Sequence, residues 1–157
     1  MVLGVVLGGC GSPAPQEVAV REVLKLQQRH WNQGNLEEFL EAGYWDTGSL
    51  SFLTGDAWYE GYEALRRSFE ENYPAGRGMG QLQLSQLQTR PLGQSHVLVC
   101  GRWGVEVQVG AQVQVEQGVF TLVFEKRLSK WRIVHEHSSR DSGESHLDAP
   151  DSDNVSE

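Results

Sequence analysis

Cysteine is scarce in this chain, with only Cys10 and Cys100 among 157 residues. Two distant thiols make no disulfide framework, so stability has to come from a hydrophobic core, which a chain of this length can build. Basic residues are also few, 13 Lys and Arg against 21 Asp and Glu for a net charge of -8. No basic stripe is available to neutralise phosphates, which excludes nucleic acid as a partner. No internal apolar run is long enough to span a bilayer, so membrane attachment can come only through the N-terminus. Aspartate is missing from the whole stretch between Gln81 and Arg140. What is present, 39% hydrophobic residues and five tryptophans, belongs to one globular domain with tails. The last seventeen residues hold six of the eight net negative charges and no Lys or Arg. Residues 141–157 are therefore expected to be an acidic, disordered tail.

Helices are predicted first. Val20, Val23, Leu24, Gln27 and Trp31 fall on one side of a helix over Gln16–Asn32, which Gly34 ends. Asn35, with Glu38 three residues on, predicts a capping box that opens a short second helix. A turn at Thr54-Gly55-Asp56 joins two short strands, and Leu65, Phe69 and Tyr73 mark a third helix that Pro74 stops. From Gln81 onward the pattern is strand. Leu87 lies on the opposite parity from Leu82 and Leu84, which predicts a bulge near Ser85 and Gln86, and Gly118 predicts another in the long strand Val113–Glu125.

The hairpin VFTLVFEKRLSKWRIVHEHSS, Val119 to Ser139, anchors this half. Strict alternation puts Trp131, Ile133, His135 and His137 on one face, the interior one, and Arg132, Val134, Glu136 and Ser138 on the other. The strand acids Glu106, Glu116, Glu125 and Glu136 all alternate with apolar residues in a way that predicts outward, solvated positions. Cys100, in mid-strand, reads as a small buried hydrophobe.

At the N-terminus, Leu7-Gly8-Gly9-Cys10 resembles the lipobox of bacterial lipoproteins, in which the cysteine is acylated. Residues 1–15 are expected to be a lipoprotein-like leader and spacer, with Cys10 as the lipidation site and the bacterial cell envelope as the location.

The segments WNQGNLEEFLEAGYW, FLTGDAWYEGYEALRRSFEENYPAG, MGQLQL and GVFTLVFEKRLSKWRIVHEHSS, in that order, resemble the nuclear transport factor 2-like superfamily in its SnoaL-like branch, over residues 16–140. The resemblance implies an α+β, cystatin-like cone: three N-terminal helices packed in the concave face of a strongly curved, mostly antiparallel sheet, usually dimeric. The end WRIVHEHSS also looks like the last strand of the calcium/calmodulin-dependent kinase association domain, a structural hub. Enzymes and pure assembly modules share this fold, so the site has to decide.

Enzymes of the superfamily usually place an aspartate or a carboxylate pair on the inner wall; the strands here hold no aspartate, leaving Asp46 and Asp56 near the cone mouth as the candidates, and this points to a noncatalytic ligand-binding or protein-interaction module, lipid-anchored in the envelope. The alternative is a small-molecule isomerase, dehydratase or hydrolase using His135 or His137, whose imidazoles titrate near neutral pH. The expected pocket comprises Tyr44, Trp45, Trp58, Tyr62, Trp103, Thr121, His135, His137 and Ser139. Its ligand is expected to be small and apolar or to bear a carboxylate; Arg102, next to Trp103, reads first as a surface arginine on the outer face of the sheet, with holding that carboxylate as the alternative. No metal site and no cofactor are expected, and the partner foreseen is a second copy of the chain.

Overall fold

The computed structural model describes residues 12–141. The leader through Gly11, with Cys10, and the tail after Asp141 lie outside them. Two helices, α1 (Pro15–Asn32) and α2 (Leu36–Gly43), precede two short strands, β1 (Ser51–Thr54) and β2 (Ala57–Glu60), and a third helix, α3 (Tyr62–Asn72), follows before a 3-10 turn at Pro74–Gly76. Four long strands follow: β3 (Gln81–Pro91), β4 (His96–Val109), β5 (Gln112–Arg127) and β6 (Lys130–Arg140). They form one sheet in the order β2-β1-β6-β5-β4-β3, antiparallel except where β1 runs beside β6. This is the α+β cone expected from the sequence.

The helices fill the concave face. Val20, Leu24 and Trp31 of α1, Phe39 and Leu40 of α2 and Leu65 of α3 are buried against Val97, Val99, Phe120, Leu122, Phe124, Trp131 and Ile133 of the sheet. Each such side chain contributes about 1.5–3 kcal/mol by area.

The free edge of β3 is closed by polar side chains of α1. Asn32 accepts from the Leu82 amide at 2.6 Å and donates to the Leu82 carbonyl at 3.1 Å. Gln28 accepts from the Leu84 amide at 3.0 Å, and Arg21 donates to the Leu87 carbonyl at 2.9 Å. Backbone groups that would otherwise template another chain are thus satisfied within the molecule.

Two bulges shape the sheet. The first, between Ser85 and Gln88, lies where the sequence places it, with Gln86 at φ 51°. The second falls in β6 and not at Gly118. Val123 pairs with His135 and Phe124 with Ile133, so Val134 has no partner. At Gly118 the register runs on without interruption. Glycine is required there because a Cβ would collide with the Ser139 carbonyl oxygen and the Trp103 indole. The unpaired Val134 reverses the faces of everything after it. Trp131 and Ile133 point into the cone, but beyond the bulge it is Glu136, Ser138 and Arg140 that do so.

The capping box expected at Asn35 is not formed. Its side-chain amide donates to Gln33 Oε1 at 3.4 Å, and it caps no helix amide.

The β5–β6 hairpin turns through Leu128 (φ 47°) and Ser129 (φ 67°), two residues in the left-handed region. Leu128 is 97% exposed and gains no burial in return. Asn-Gly is the pair that such a turn favours. The double substitution Leu128→Asn, Ser129→Gly should therefore stabilise the protein by about 1 kcal/mol, read as a higher thermal midpoint.

Candidate functional site

A cavity of about 450 Å³ opens between the helices and the concave face of the sheet. Its helical wall is aromatic: Trp31 meets Phe39 and Tyr73 edge to face at 5.1 and 5.0 Å, and Phe69 packs at 5.7 Å from both Phe39 and Phe52. The Trp31 indole is fixed by donating to the Met79 carbonyl at 2.7 Å. Leu82, Leu84, Val105 and Leu122 line the sheet side.

A carboxyl group interrupts this apolar lining. Glu136 lies on β6 between Phe52 of β1 and Leu122 of β5. Tyr44 donates its hydroxyl to Glu136 Oε2 at 2.5 Å. Tyr44 is itself held by backbone pairing, through a bridge to Ile133, the Tyr44 amide on the Leu40 carbonyl at 3.0 Å, and the Trp45 amide on the Ile133 carbonyl at 3.1 Å. Beside it, the buried Gln27 amide occupies the space that a side chain at Gly43 would need, and donates to the Phe39 carbonyl at 3.3 Å.

Burial lifts the Glu136 carboxyl to about 7, against the opposing effect of the Tyr44 hydrogen bond. The Tyr44 phenol is pushed well above its ordinary range, first by burial and then by the charge of Glu136, so it stays a donor at neutral pH. Glu136 Oε1 has no hydrogen-bond partner among the described residues. Near neutrality Glu136 can therefore give or take a proton within an apolar cavity.

The rim is more polar. Glu116 pairs with Arg140 at 2.9 Å. Burial and the Glu116 charge raise the Tyr73 phenol, and the Trp103 indole nitrogen is buried without a partner among the described residues.

Of the pocket residues expected from the sequence, Tyr44 and Trp103 line the cavity. His135 and His137 do not, because the bulge turns both to the outer face of the sheet. There His135 Nδ1 lies 2.7 Å from Ser51 Oγ, while His137 is exposed and pairs across the ladder with Thr121 and Leu53. Burial, followed by the neighbouring His137, depresses the His135 pKa. Thr121 and Ser139 share that outer face. Trp58, 67% exposed, lies beside Leu53 on it. Trp45 is outside the cavity, its indole donating to the Glu125 carbonyl at 3.0 Å, with the Arg127 and Arg132 guanidinium groups over its ring. Tyr62 packs against the core from α3 without reaching the cavity. Arg102 pairs with Asp141 at 2.5 Å and is not a pocket residue. Among the described residues no three His, Cys, Asp or Glu side chains gather into a set that could hold a metal ion.

Alternation gives Glu136, Ser138 and Arg140 no pocket role and predicts Glu116 and Glu136 outside, whereas both carboxyl side chains line the cavity. Nothing local marks the bulge: Ile133-Val134 is an adjacent apolar pair, but so is Val97-Leu98 in β4, where the register runs on unbroken.

A family model described as a SnoaL-like domain matches residues 20–141. Among solved structures, the fold is similar to a nuclear transport factor 2-like protein of unknown function from Shewanella oneidensis MR-1, with 27% identity, TM-score 0.69, and coverage of 79% of this chain and 98% of that one. It is also similar to a nuclear transport factor 2-like superfamily protein from Salmonella enterica, with 18% identity, TM-score 0.65, and coverage of 85% and 94%. A third, from Novosphingobium aromaticivorans, is a nuclear transport factor 2-like protein with a cystatin-like fold, at 14% identity, TM-score 0.66, and coverage of 82% and 84%. No curated protein matches the sequence.

Glu136 makes stability depend on pH in a definite direction. The folded chain holds its proton up to about 7 against an ordinary value of 4.5, so stability falls as pH rises through that interval, and the full penalty is present above it. Glu136→Gln should stabilise the fold by up to about 3 kcal/mol at pH 8 and by little at pH 4.5, measured by urea unfolding at both values.

Proposed function

Because the chain belongs to the SnoaL-like family of the nuclear transport factor 2-like superfamily, whose cone encloses a cavity here, we propose that it is a receptor for one small, largely apolar molecule anchored at Glu136. The observation that carries this reading is an apolar, aromatic cavity of about 450 Å³ with one carboxyl oxygen left unpartnered inside it. Ligand sites are characteristically apolar with a few placed polar groups. A second reading, acid–base catalysis such as isomerisation or dehydration, is favoured by one observation, the Glu136 carboxyl at about 7 beside a phenol that remains a donor. In that reading Glu136 takes the role that the sequence offered to the histidines.

Two further parts of the proposal rest on separate support. Pairing of two copies through the outer face of the sheet is supported by exposed apolar side chains there, Trp58 and Val119 among them. Attachment to the bacterial envelope through Cys10 is supported by the lipobox-like sequence alone.

Native mass spectrometry of the gently purified protein should find a dimer carrying one small molecule per chain. Ser138→Phe, which places a ring inside the cavity, should lose that mass while remaining folded. A wild-type protein that arrives empty and takes up no aliphatic alcohol would refute the receptor reading. Radiolabelled palmitate fed to expressing bacteria should enter the wild-type chain and not Cys10→Ala; equal labelling of both, or of neither, would rule out the anchor.

A further inference from the structure

Three charged side chains face the cavity: Glu116, Glu136 and Arg140. Arg140 is already engaged with Glu116 at 2.9 Å. It lies four residues beyond Glu136 on the same face of β6, about 13 Å along the strand. Glu136 is therefore a carboxyl within the protein that no cation of the cavity wall answers. Its one hydrogen bond among the described residues, from Tyr44, occupies Oε2, and Glu136 lines the cavity with Oε1 unpaired. A part-buried carboxylate among apolar side chains, with no countercharge beside it, is costly, and a bound cation is the group that would offset the cost.

The surroundings suit a cation as well. Aromatic faces carry negative quadrupole density and attract ammonium groups, and Phe52 and Tyr44 are close neighbours of Glu136 in the fold. Thr54 and Ser138, which pair across β1 and β6, add hydroxyl oxygens able to accept N–H bonds. An anionic ligand would meet Glu136 with like charge, and a plain hydrocarbon would leave Oε1 unsatisfied.

We propose that the cone is a site for a small organic amine: its ammonium group pairs with Glu136 Oε1, and its hydrocarbon part lies among the aromatic rings of the helical wall. The proposal rests on the receptor reading above and adds the chemical class of the ligand.

Octylamine, octanol and octanoate have nearly the same shape and differ in charge. Each would be titrated calorimetrically into the full chain at pH 8. Octylamine should bind about tenfold or more tightly than octanol, the scale of one charge-assisted hydrogen bond, with octanoate weakest. In Glu136→Gln that advantage should shrink to about twofold or less. Octanol binding as tightly as octylamine would overturn the amine assignment and leave the receptor reading standing. So would an amine preference that survives in Glu136→Gln. If none of the three binds, both readings fail together.

Discussion

The unpaired Val134 is the constraint on which the rest of this molecule depends. A single extra residue in β6 lets the strand cover the core with Trp131 and Ile133 at one end and line a cavity with Glu136, Ser138 and Arg140 at the other. Without it, strict alternation would place two imidazoles inside the cone and the carboxyl outside. The bulge also fits the bend of a curved sheet, since bulges increase local twist where a strand must turn around a core. Shape and chemistry therefore share one cause.

Much of the fold was legible in the sequence because its signals are local. The apolar spacing in α1, the Thr54-Gly55-Asp56 turn, the stop at Pro74 and the parity break at Leu87 each depend on a few neighbouring residues, and each corresponds to an observed element. The site was less legible because it depends on parity carried over distance. From Trp131 to His137 the count is right until Val134, and one error there exchanges the two faces. Glycine misled in a complementary way: Gly118 reads as a bulge, but its lack of a side chain serves the approach of Ser139 and Trp103 from adjacent strands. Nothing local distinguishes those two uses of glycine. The Asn35 side chain accepts from no helix amide, and its Nδ2 donates to Gln33 Oε1 across the turn.

The missing aspartates take on a different meaning once the faces are corrected. Their absence argued against an inner-wall acid, yet Glu136 supplies one, with Tyr44 donating to one of its two oxygens. The two groups act on each other in opposite directions. The phenol's hydrogen bond favours the ionised carboxyl, and the carboxyl's charge keeps the phenol protonated. Burial dominates for both, holding Glu136 near neutrality. Such a group is destabilising for the fold by itself, the usual mark of a residue retained for what it contacts.

The outer face shows the converse effect of the same bulge. It receives His135 and His137 in place of Glu136, so a carboxylate is exchanged for two imidazoles. Burial and its neighbour make His135 harder to protonate, and Ser51 satisfies its Nδ1. Across the ladder, Leu98, Cys100, Thr121 and Val123 continue the face as an uncharged strip, with Arg102, Glu125 and Glu60 at its borders, and Leu53 and Trp58 extend it towards the short strands. A carboxylate in the middle of that strip would have to be desolvated whenever the face was covered. By moving the acid inside, the bulge leaves imidazoles on the outer face of β6 and a carboxyl on the wall of the cavity.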